Sequence, residues 1–242
     1  MRVAAISDIH ANHHALAAVL TAIAVEQPDE IWCLGDVVGY GPEPNRCCEL
    51  IAANAALCLA GNHDLAVIGA ISTEDFNGDA GAAVRWTQGV IDERSVAFLK
   101  GLHSAGRRGG AELFHGSPLD PVWDYVLTEA GAMASFEATS APLVLVGHSH
   151  VPLALSWDGG RLSGGLAAAN LEIDLSSSRW LLNPGSVGQP RGNDARAAWL
   201  MIDFGSNRAS FRRVEYPIEQ TQEQILAAGL PKSLAARLAL GQ

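Results

Sequence analysis

Residues 3–10 read Val-Ala-Ala-Ile-Ser-Asp-Ile-His, a short apolar run that ends in an acid and a histidine. Such a run, bounded by polar residues, is typical of a buried strand. Two similar runs, 31–34 and 56–60, follow early in the chain, and each leads into a glycine and then polar residues. The intervening segments 14–25 and 44–53 have a helical pattern or a proline near the first turn. This alternation predicts a largely parallel sheet with helices between its strands.

The pattern changes after residue 150. Before that point it predicts helices over 77–89, 91–99 and 128–139, strands over 111–114 and 142–146, and a turn over 106–110. Beyond it, a hairpin around Asp158-Gly159-Gly160 and strands over 180–182, 197–204 and 208–214 are antiparallel signals. They predict a second sheet, followed by one or two helices over 218–240 that break near 229–231. We expect one α/β domain, residues 1–242, with two stacked sheets and helices outside.

Composition narrows the class of protein. The chain has 242 residues, 48% hydrophobic and 17% charged, as a globular protein has. Its four cysteines show no CxxC spacing, and we expect reduced, buried thiols in a cytoplasmic protein. No apolar run is long enough for a signal peptide or a membrane span. A net charge of −10 argues against binding long nucleic acid, although bound cations would still admit an anionic substrate. A homo-oligomer stays open.

Five short motifs follow the C-terminal ends of predicted strands, which is where open α/β sheets place their ligand crevices. They supply two carboxylates, one amide oxygen and four imidazoles as metal ligands, plus a fifth histidine, His63. Mixed oxygen and nitrogen ligands without thiolate suit Mn, Fe, Zn or Co better than Ca or Mg. The motifs are Asp8-Ile9-His10, Gly35-Asp36, Gly61-Asn62-His63-Asp64, His115-Gly116 and Gly147-His148-Ser149-His150.

Each motif alone has an ordinary structural explanation, such as a turn, a helix cap or a partly buried histidine. Their conjunction, each at a strand end, favours a metal site. The ligands are too many for one ion and suit two ions that share a carboxylate, for which Asp36 is the candidate. Two ions about 3.5–4 Å apart activate water and stabilise both oxygens of an in-line displacement. We expect His63 to act as general acid or to contact a phosphoryl oxygen, and Asp64 either to orient it or to cap the next helix.

Together these motifs resemble the calcineurin-like metallophosphoesterase superfamily, and most closely its small prokaryotic branch of phosphodiesterases and phosphatases. Residues 183–191 also resemble a segment of that branch, so the resemblance covers nearly the whole chain. It implies a four-layer sandwich of two mixed β-sheets flanked by helices. It also implies two divalent metal ions, manganese or iron first, with zinc, cobalt or nickel as alternatives. The implied ligands are Asp8, His10, Asp36 and His150 for one ion, and Asp36, Asn62, His115 and His148 for the other, with His63 matching the family's catalytic histidine.

One departure from the family concerns the segment after Asp36. In the protein-phosphatase branch this motif continues to a second Asp and an Arg, whereas here it continues Val37-Val38-Gly39-Tyr40. The departure argues against a protein substrate and favours a small phosphoester. A phosphodiesterase using a metal-bridging hydroxide is the first hypothesis, and a phosphomonoesterase is the second. A catalytically silent scaffold of the same fold is a third; it is disfavoured because every ligand position and His63 are filled.

Weaker candidates surround these motifs. Asn12 either contacts a substrate phosphate or caps the helix that follows it. Arg191 lies in a Gly/Pro-rich loop and is either a phosphate contact or a solvated side chain. Trp123 and Tyr125 are interpreted mainly as core residues, with a hydrophobic wall for a substrate base as the alternative.

Overall fold

The computed structural model describes residues 1–242, with twelve strands and eight helices. The strands are β1 (Arg2–Ile6), β2 (Glu30–Cys33), β3 (Leu57–Cys58), β4 (Ala105–Arg108), β5 (Ala111–Phe114), β6 (Leu143–Leu145), β7 (Leu153–Trp157), β8 (Leu162–Leu166), β9 (Glu172–Asp174), β10 (Arg179–Asn183), β11 (Ala197–Asp203) and β12 (Arg208–Val214). The helices are α1 (His13–Glu26), α2 (Pro44–Asn54), α3 (Asn62–Val67), α4 (Gly78–Val90), α5 (Glu93–Lys100), α6 (Glu129–Ala138), α7 (Ile218–Ala227) and α8 (Lys232–Leu240).

The strands form two six-stranded sheets that pack face to face. Their orders are β3-β2-β1-β11-β12-β9 and β4-β5-β6-β10-β7-β8, and both sheets mix parallel and antiparallel pairs. Side chains that alternate along a strand point to opposite faces. In β1, Val3 and Ala5 therefore join the core between the sheets, whereas Ala4 and Ile6 pack in the core shared with α1 and α2. Val144 of β6 packs against Phe136 of α6, which completes a helix–sheet–sheet–helix sandwich.

The predicted division of the strands between the sheets is wrong. The C-terminal strands β11 and β12 complete the first sheet rather than forming the second, because β11 pairs antiparallel with β1. Conversely, β5 and β6 from the first half belong to the second sheet. They pair parallel with each other, β6 pairs parallel with β10, and β10 pairs antiparallel with β7 of the β7–β8 hairpin. Period-two patterning shows which faces are buried, but it does not say which strand lies at each edge of a buried strand.

Three elements differ from the predicted pattern. Residues 106–110 are predicted as a turn, but residues 106–108 belong to β4, and only Gly109-Gly110 turn the chain into β5. The short edge strand β9 was not predicted; it pairs with β12. The helix expected after Asp64, α3, starts earlier than predicted: it begins inside the third motif at Asn62, so Asp64 lies in its first turn. That residues 1–242 form one domain stays a prediction.

The four cysteines are free, with Cys58 partly buried and the other three buried. None of the helices is long and apolar enough to cross a membrane.

Candidate metal centre

The parallel strands of both sheets end at one place. Asp8 and Asp36 follow β1 and β2 of the first sheet, and His115 and His148 follow β5 and β6 of the second. Backbone hydrogen bonds join these ends: the Asp8 N–H donates to the Gly35 carbonyl over 3.0 Å, and the Gly147 N–H donates to the His115 carbonyl over 2.8 Å. His115 Nε2 of the second sheet lies 3.5 Å from Asp36 Oδ2 of the first, so the motifs converge from two sheets into a single crevice. All seven expected ligands are buried there: Asp8, His10, Asp36, Asn62, His115, His148 and His150.

Asp36 lies between two groups of these side chains. Its Oδ1 accepts a hydrogen bond from the His63 backbone N–H over 2.9 Å, which fixes the carboxylate. Its Oδ2 lies 3.7 Å from His10 Nε2 on one side and 3.5 Å from His115 Nε2 on the other. One oxygen is thus held by the protein while the other faces both groups.

The first group joins Asp8, His10 and His150, and the second joins Asp36, His115 and His148. The ligand atoms within each group all lie within 4.8 Å of one another. Asn62 belongs to the second group, because its Oδ1 lies 3.3 Å from His115 Nε2. His148 faces His115 Nε2 with its Nδ1, at 3.3 Å. A third grouping of His10, Asp36 and His63 meets the same distance limit.

Backbone carbonyls orient three of the imidazoles. The Nδ1 atoms of His10, His115 and His150 face the carbonyls of Val38, Leu34 and Gln189 at 3.2, 2.9 and 2.8 Å. A carbonyl oxygen only accepts, so each Nδ1 carries the proton and each Nε2 presents its lone pair to the crevice. This is the outer-shell arrangement that orients histidine ligands of metals.

The crevice contains buried polar atoms that lack hydrogen-bond partners, and these atoms fit divalent cations. Both carboxylate oxygens of Asp8 are buried without a hydrogen-bond partner, which is costly for an ionised group unless a cation lies beside it. The Nε2 atoms of His10 and His150 lie 2.9 Å apart. Ligands of one ion at about 2.0–2.2 Å lie about 3–3.5 Å from each other, so this separation suits two ligands of a shared ion. Two carboxylates, an amide oxygen and four imidazoles fit Mn, Fe, Zn, Co or Ni.

Burial favours the neutral form of these groups. It raises the pKa of Asp8 to about 7 and the pKa of Asp36 well above its usual range, where the nearby Asp64 and Asp8 add to the effect. It also lowers the pKa values of His10, His115 and His150 well below the usual range, and that of His148 to about 3. Neutral imidazoles are the form that binds metals, and the carboxyls need a cation to favour ionisation.

The ligand loops adopt an uncommon backbone conformation. Five of the seven expected ligands have positive φ, from 50° to 61°: Asp8, His10, Asp36, His148 and His150. Non-glycine residues in this left-handed region each cost about 1–3 kcal/mol and cluster at functional sites. Backbone hydrogen bonds at the strand ends hold these five residues in the left-handed conformation, which turns their side chains into the crevice.

Glycines in the motifs make room for the ligands. A Cβ on Gly61 would lie 2.0 Å from Asp36 Oδ1, and a Cβ on Gly147 would lie 2.2 Å from Ser7 Oγ. Any larger residue at Gly61 would therefore displace the carboxylate that faces both ligand groups.

His63 lies at the edge of the centre, on the first turn of α3. Its ring contacts those of Tyr40 and His10 with centroids 4.4 and 4.9 Å apart, and its Nδ1 has no hydrogen-bond partner. Burial lowers its pKa to about 3. The His63 ring lines the same cavity as Asp36.

Asp64 does not hydrogen-bond the His63 ring. Its oxygens accept from the backbone N–H groups of Gly61 at 2.9 Å and Val38 at 3.0 Å, so it joins the second and third motif loops. Burial raises its pKa to about 6, although these hydrogen bonds oppose the rise. Of its two expected roles, orienting His63 or capping the helix, Asp64 has the second: it accepts a hydrogen bond from the Gly61 N–H at the start of α3.

Asn12 also has a structural position. Its Oδ1 caps α1 by accepting from the Ala15 N–H at 3.1 Å, and it accepts from the Thr221 hydroxyl as well. Its Nδ2 donates to the Gly188 carbonyl at 2.9 Å. A buried side chain with these three bonds ties α1 to the loop after β10 and to α7.

Arg191 lies at the mouth of the crevice. A cavity of about 80 Å³ is lined by Asp36, His63, His148 and Arg191 together with aromatic rings. The Arg191 guanidinium forms no hydrogen bond or ion pair within the chain. Trp123 and Tyr125 line the same cavity rather than the core, and Tyr125 is 46% exposed.

Sequence reasoning did not identify two contributors. Gln189 orients His150 through its backbone carbonyl, and Phe76 lines the cavity. Gln189 acts through its backbone carbonyl, which every residue type has, so its identity gives no signal in the sequence. Phe76 is a single phenylalanine in a loop, and its sequence context does not distinguish it from other phenylalanines. The position of Gln189 within residues 183–191, which already resembled a family segment, was the one available signal.

The comparisons with known proteins agree with this geometry. Residues 1–205 match the family model of the calcineurin-like phosphoesterase superfamily domain. The chain belongs to the calcineurin-like phosphoesterase superfamily. This phosphoesterase is 37% identical over 245 residues to an uncharacterized protein of Methanocaldococcus jannaschii, covering 99% of the chain and 98% of the relative.

Solved structures extend the comparison. A metallophosphoesterase from Sphaerobacter thermophilus is 40% identical, with a TM-score of 0.91 over 100% of this chain and 99% of that one. A hypothetical protein from Pyrococcus horikoshii shares the fold, at 18% identity and a TM-score of 0.81, covering 100% and 98% of the two chains. This calcineurin-like phosphoesterase is therefore a metal-dependent phosphoester hydrolase with the expected sandwich of two mixed sheets.

The C-terminal helices of this phosphoesterase lie beyond the matched residues 1–205 yet reach the centre. Thr221 of α7 donates to Asn12, and Arg237 of α8 donates to the Gln189 side chain at 3.3 Å. The Gln189 carbonyl in turn orients His150. The last two helices thus support the loops that carry the expected ligands.

Proposed function

We propose that the protein is a two-metal phosphodiesterase that hydrolyses a small phosphodiester. The observation that carries this is the position of Asp36 Oδ2, 3.7 Å from His10 Nε2 and 3.5 Å from His115 Nε2. A carboxylate oxygen shared by two ligand groups suits a pair of ions rather than one. Asp8, His10, Asp36 and His150 would hold one ion, and Asp36, Asn62, His115 and His148 the other.

Two such ions, manganese or iron in this proposal, supply Lewis-acid charge and an activated water when they are bound. The chain supplies the remaining parts. Arg191 at the cavity mouth attracts and orients the phosphoryl group. His63 donates a hydrogen bond to a phosphoryl oxygen or, once the anionic ester favours its protonated form, gives a proton to the leaving oxygen.

A diester is the first choice because the motifs resemble the small prokaryotic branch that contains phosphodiesterases. The two ions of this proposal would dominate the charge of the cavity over Asp36, Asp75 and Arg191, so esters with one or two negative charges would both be attracted, and the assay below decides between them. The cytoplasmic location and the choice of metal belong to the same proposal and rest on the sequence alone.

The test is hydrolysis of bis-p-nitrophenyl phosphate and p-nitrophenyl phosphate by metal-stripped protein with Mn²⁺ added back. Asp36→Asn keeps the size of the side chain and an acceptor for the His63 N–H but removes the charge. We therefore expect this variant to lose turnover and to bind one metal ion fewer per chain. We expect His63→Ala to keep both metals and lose turnover.

His103 provides the matched control, since it is exposed and its backbone carbonyl, not its ring, contacts Ala60. The variant His103→Ala should retain full activity. Wild-type protein that binds one Mn²⁺ per chain at saturation would rule out the two-metal proposal. A higher kcat/KM for the monoester would replace diesterase with phosphomonoesterase.

A further inference from the structure

The ring of Tyr125 stacks on the ring of His148. Their centroids lie 4.0 Å apart and the ring planes are 21° from parallel. His148 is an expected metal ligand and is buried, so one face of Tyr125 is covered by the centre itself. Tyr125 is nevertheless 46% exposed, which leaves its other face toward solvent at the cavity mouth.

The other rings around this cavity do not offer a free face of this kind. His63 meets Phe76 at an interplanar angle of 73°, Phe76 meets Trp123 at 62°, and Trp123 meets His148 at 79°. Each is partly or fully buried by these edge-to-face contacts. Tyr125 is the exposed member of the set.

We propose that Tyr125 is a stacking platform for a flat aromatic ring of the substrate, so that the preferred esters are nucleotide phosphodiesters. This rests on the proposed function. The phosphoryl group would lie among the expected ligands and Arg191, while the base of the same molecule would stack on the outer face of Tyr125. Since every base has a π-face, such a platform selects for the presence of a base and tolerates its identity.

A single exposed aromatic residue is ordinary on a protein surface. The stacking role is therefore inferred from the position of Tyr125 at the cavity, not from its exposure alone. Leu127 lies two residues away on the same loop and is 55% exposed, but it does not line the cavity. Tyr125 is distinguished from it by its stack on a ligand and by lining the cavity beside Arg191.

The test uses two diesters with one leaving group, thymidine 5′-(p-nitrophenyl phosphate) and ethyl p-nitrophenyl phosphate, with manganese-loaded protein. The ratio of their kcat/KM values cancels any loss that both esters share, including a change in metal binding. We expect wild type to favour the thymidine ester by about 5- to 100-fold, as one stacked base implies. The preference should disappear in Tyr125→Leu and persist in Tyr125→Phe and in the control Leu127→Ala.

A wild-type ratio near one, or an unchanged ratio in Tyr125→Leu, would overturn the stacking role and leave the diesterase standing. If wild type hydrolyses neither ester, the proposed function fails, and the stacking role of Tyr125 is then tested by ligand binding alone. Calorimetric titration with AMP and ribose 5-phosphate would then show tighter binding of AMP that Tyr125→Leu removes. Equal affinities for the two ligands would overturn the proposal.

Discussion

The Nε2 atoms of His10 and His150 lie 2.9 Å apart, and each ring already donates its Nδ1 proton to a backbone carbonyl. Two neutral rings in this arrangement point lone pairs at each other, which is repulsive until a cation lies between them. Metal binding should therefore stabilise the fold. At a Mn²⁺ concentration 100 times the dissociation constant, we expect binding at one site to raise the free energy of unfolding by about 2.7 kcal/mol. For a chain of this size that corresponds to a rise in Tm of about 5–10 °C, measured by calorimetry against the chelated protein.

The variant His150→Gln separates this effect from non-specific ion binding, because it removes one of the two facing nitrogens. The rise in Tm should shrink or vanish in this variant and stay complete in His103→Ala. An equal rise in all three proteins would show that the ions bind elsewhere.

Gly61 sets the position of Asp36, since a Cβ there would lie 2.0 Å from Asp36 Oδ1 and 2.6 Å from its backbone nitrogen. We expect Gly61→Ala to displace the carboxylate, to abolish tight Mn²⁺ binding and to destabilise the fold by at least about 1–3 kcal/mol through overpacking. Urea unfolding and metal content measured after dialysis would check both effects.

Gly89 is the matched control, because it lies inside α4 and its added Cβ would meet nothing within 4 Å. Gly89→Ala should leave metal content unchanged and raise stability by about 0.5–1 kcal/mol. Normal metal content in Gly61→Ala would mean that the Asp36 loop adjusts to the extra carbon.

The sequence predicted which polar side chains lie together better than it predicted the order of the strands. Asp8, Asp36 and His115 follow strand ends, and because parallel strands present these ends at one edge, local patterns were enough to bring them together. The pairing of β1 with β11, however, joins residues about 200 positions apart. No local pattern encodes such a partner; the choice depends on burying both edges of β1.

The start of α3 at Asn62 and the positive φ values of the expected ligands could not be predicted from the sequence for a related reason. A histidine or aspartate at φ near 55° is locally unfavourable, and only the surrounding hydrogen bonds fix it. The alternatives left open for Asn12 and Asp64 likewise depended on which backbone groups lay within reach.

Asn12 is expected to matter for stability rather than for substrate affinity. Asn12→Ala removes the cap of α1 and leaves the Gly188 carbonyl without its donor in a buried position, so we expect a loss of about 1–3 kcal/mol. Asn12→Ser keeps a cap and should lose less. Urea unfolding gives the stability, and KM for bis-p-nitrophenyl phosphate gives the substrate affinity. A raised KM with unchanged stability would assign Asn12 to the substrate instead.

Glu30 and Arg108 connect the two sheets at their rims. The Glu30 carboxylate accepts from Arg108 Nε and Nη2 at 2.6 and 2.7 Å and from the Trp32 indole at 2.6 Å. These hydrogen bonds, led by those from Arg108, lower the pKa of Glu30 from 4.5 to about 2. A lowered pKa means that the stabilisation is complete above pH 4.5 and is lost as the pH falls toward 2.

The pair is substantially exposed, so Glu30→Gln should cost only about 0.5–1 kcal/mol at pH 7. The difference in unfolding free energy between wild type and Glu30→Gln should narrow between pH 4.5 and 2, as measured by urea titrations at several pH values. A difference that stays constant over this range would show that the Glu30 charge contributes nothing.

Arg191 lines the cavity beside His63 and His148 and has no partner within the chain. A hydrogen bond between a guanidinium and a phosphate contributes about 1.5–3 kcal/mol, so Arg191→Ala should raise KM for bis-p-nitrophenyl phosphate by about 10- to 100-fold. If the contact is equally strong in the ground and transition states, kcat will change little. Arg191→Lys should recover part of the affinity, since a point charge replaces a fork that binds two oxygens. Arg161→Ala, on the exposed hairpin between β7 and β8, is the control and should match wild type. A KM for Arg191→Ala within twofold of wild type would make Arg191 a solvated loop residue and leave the phosphoryl group to the metals and His63.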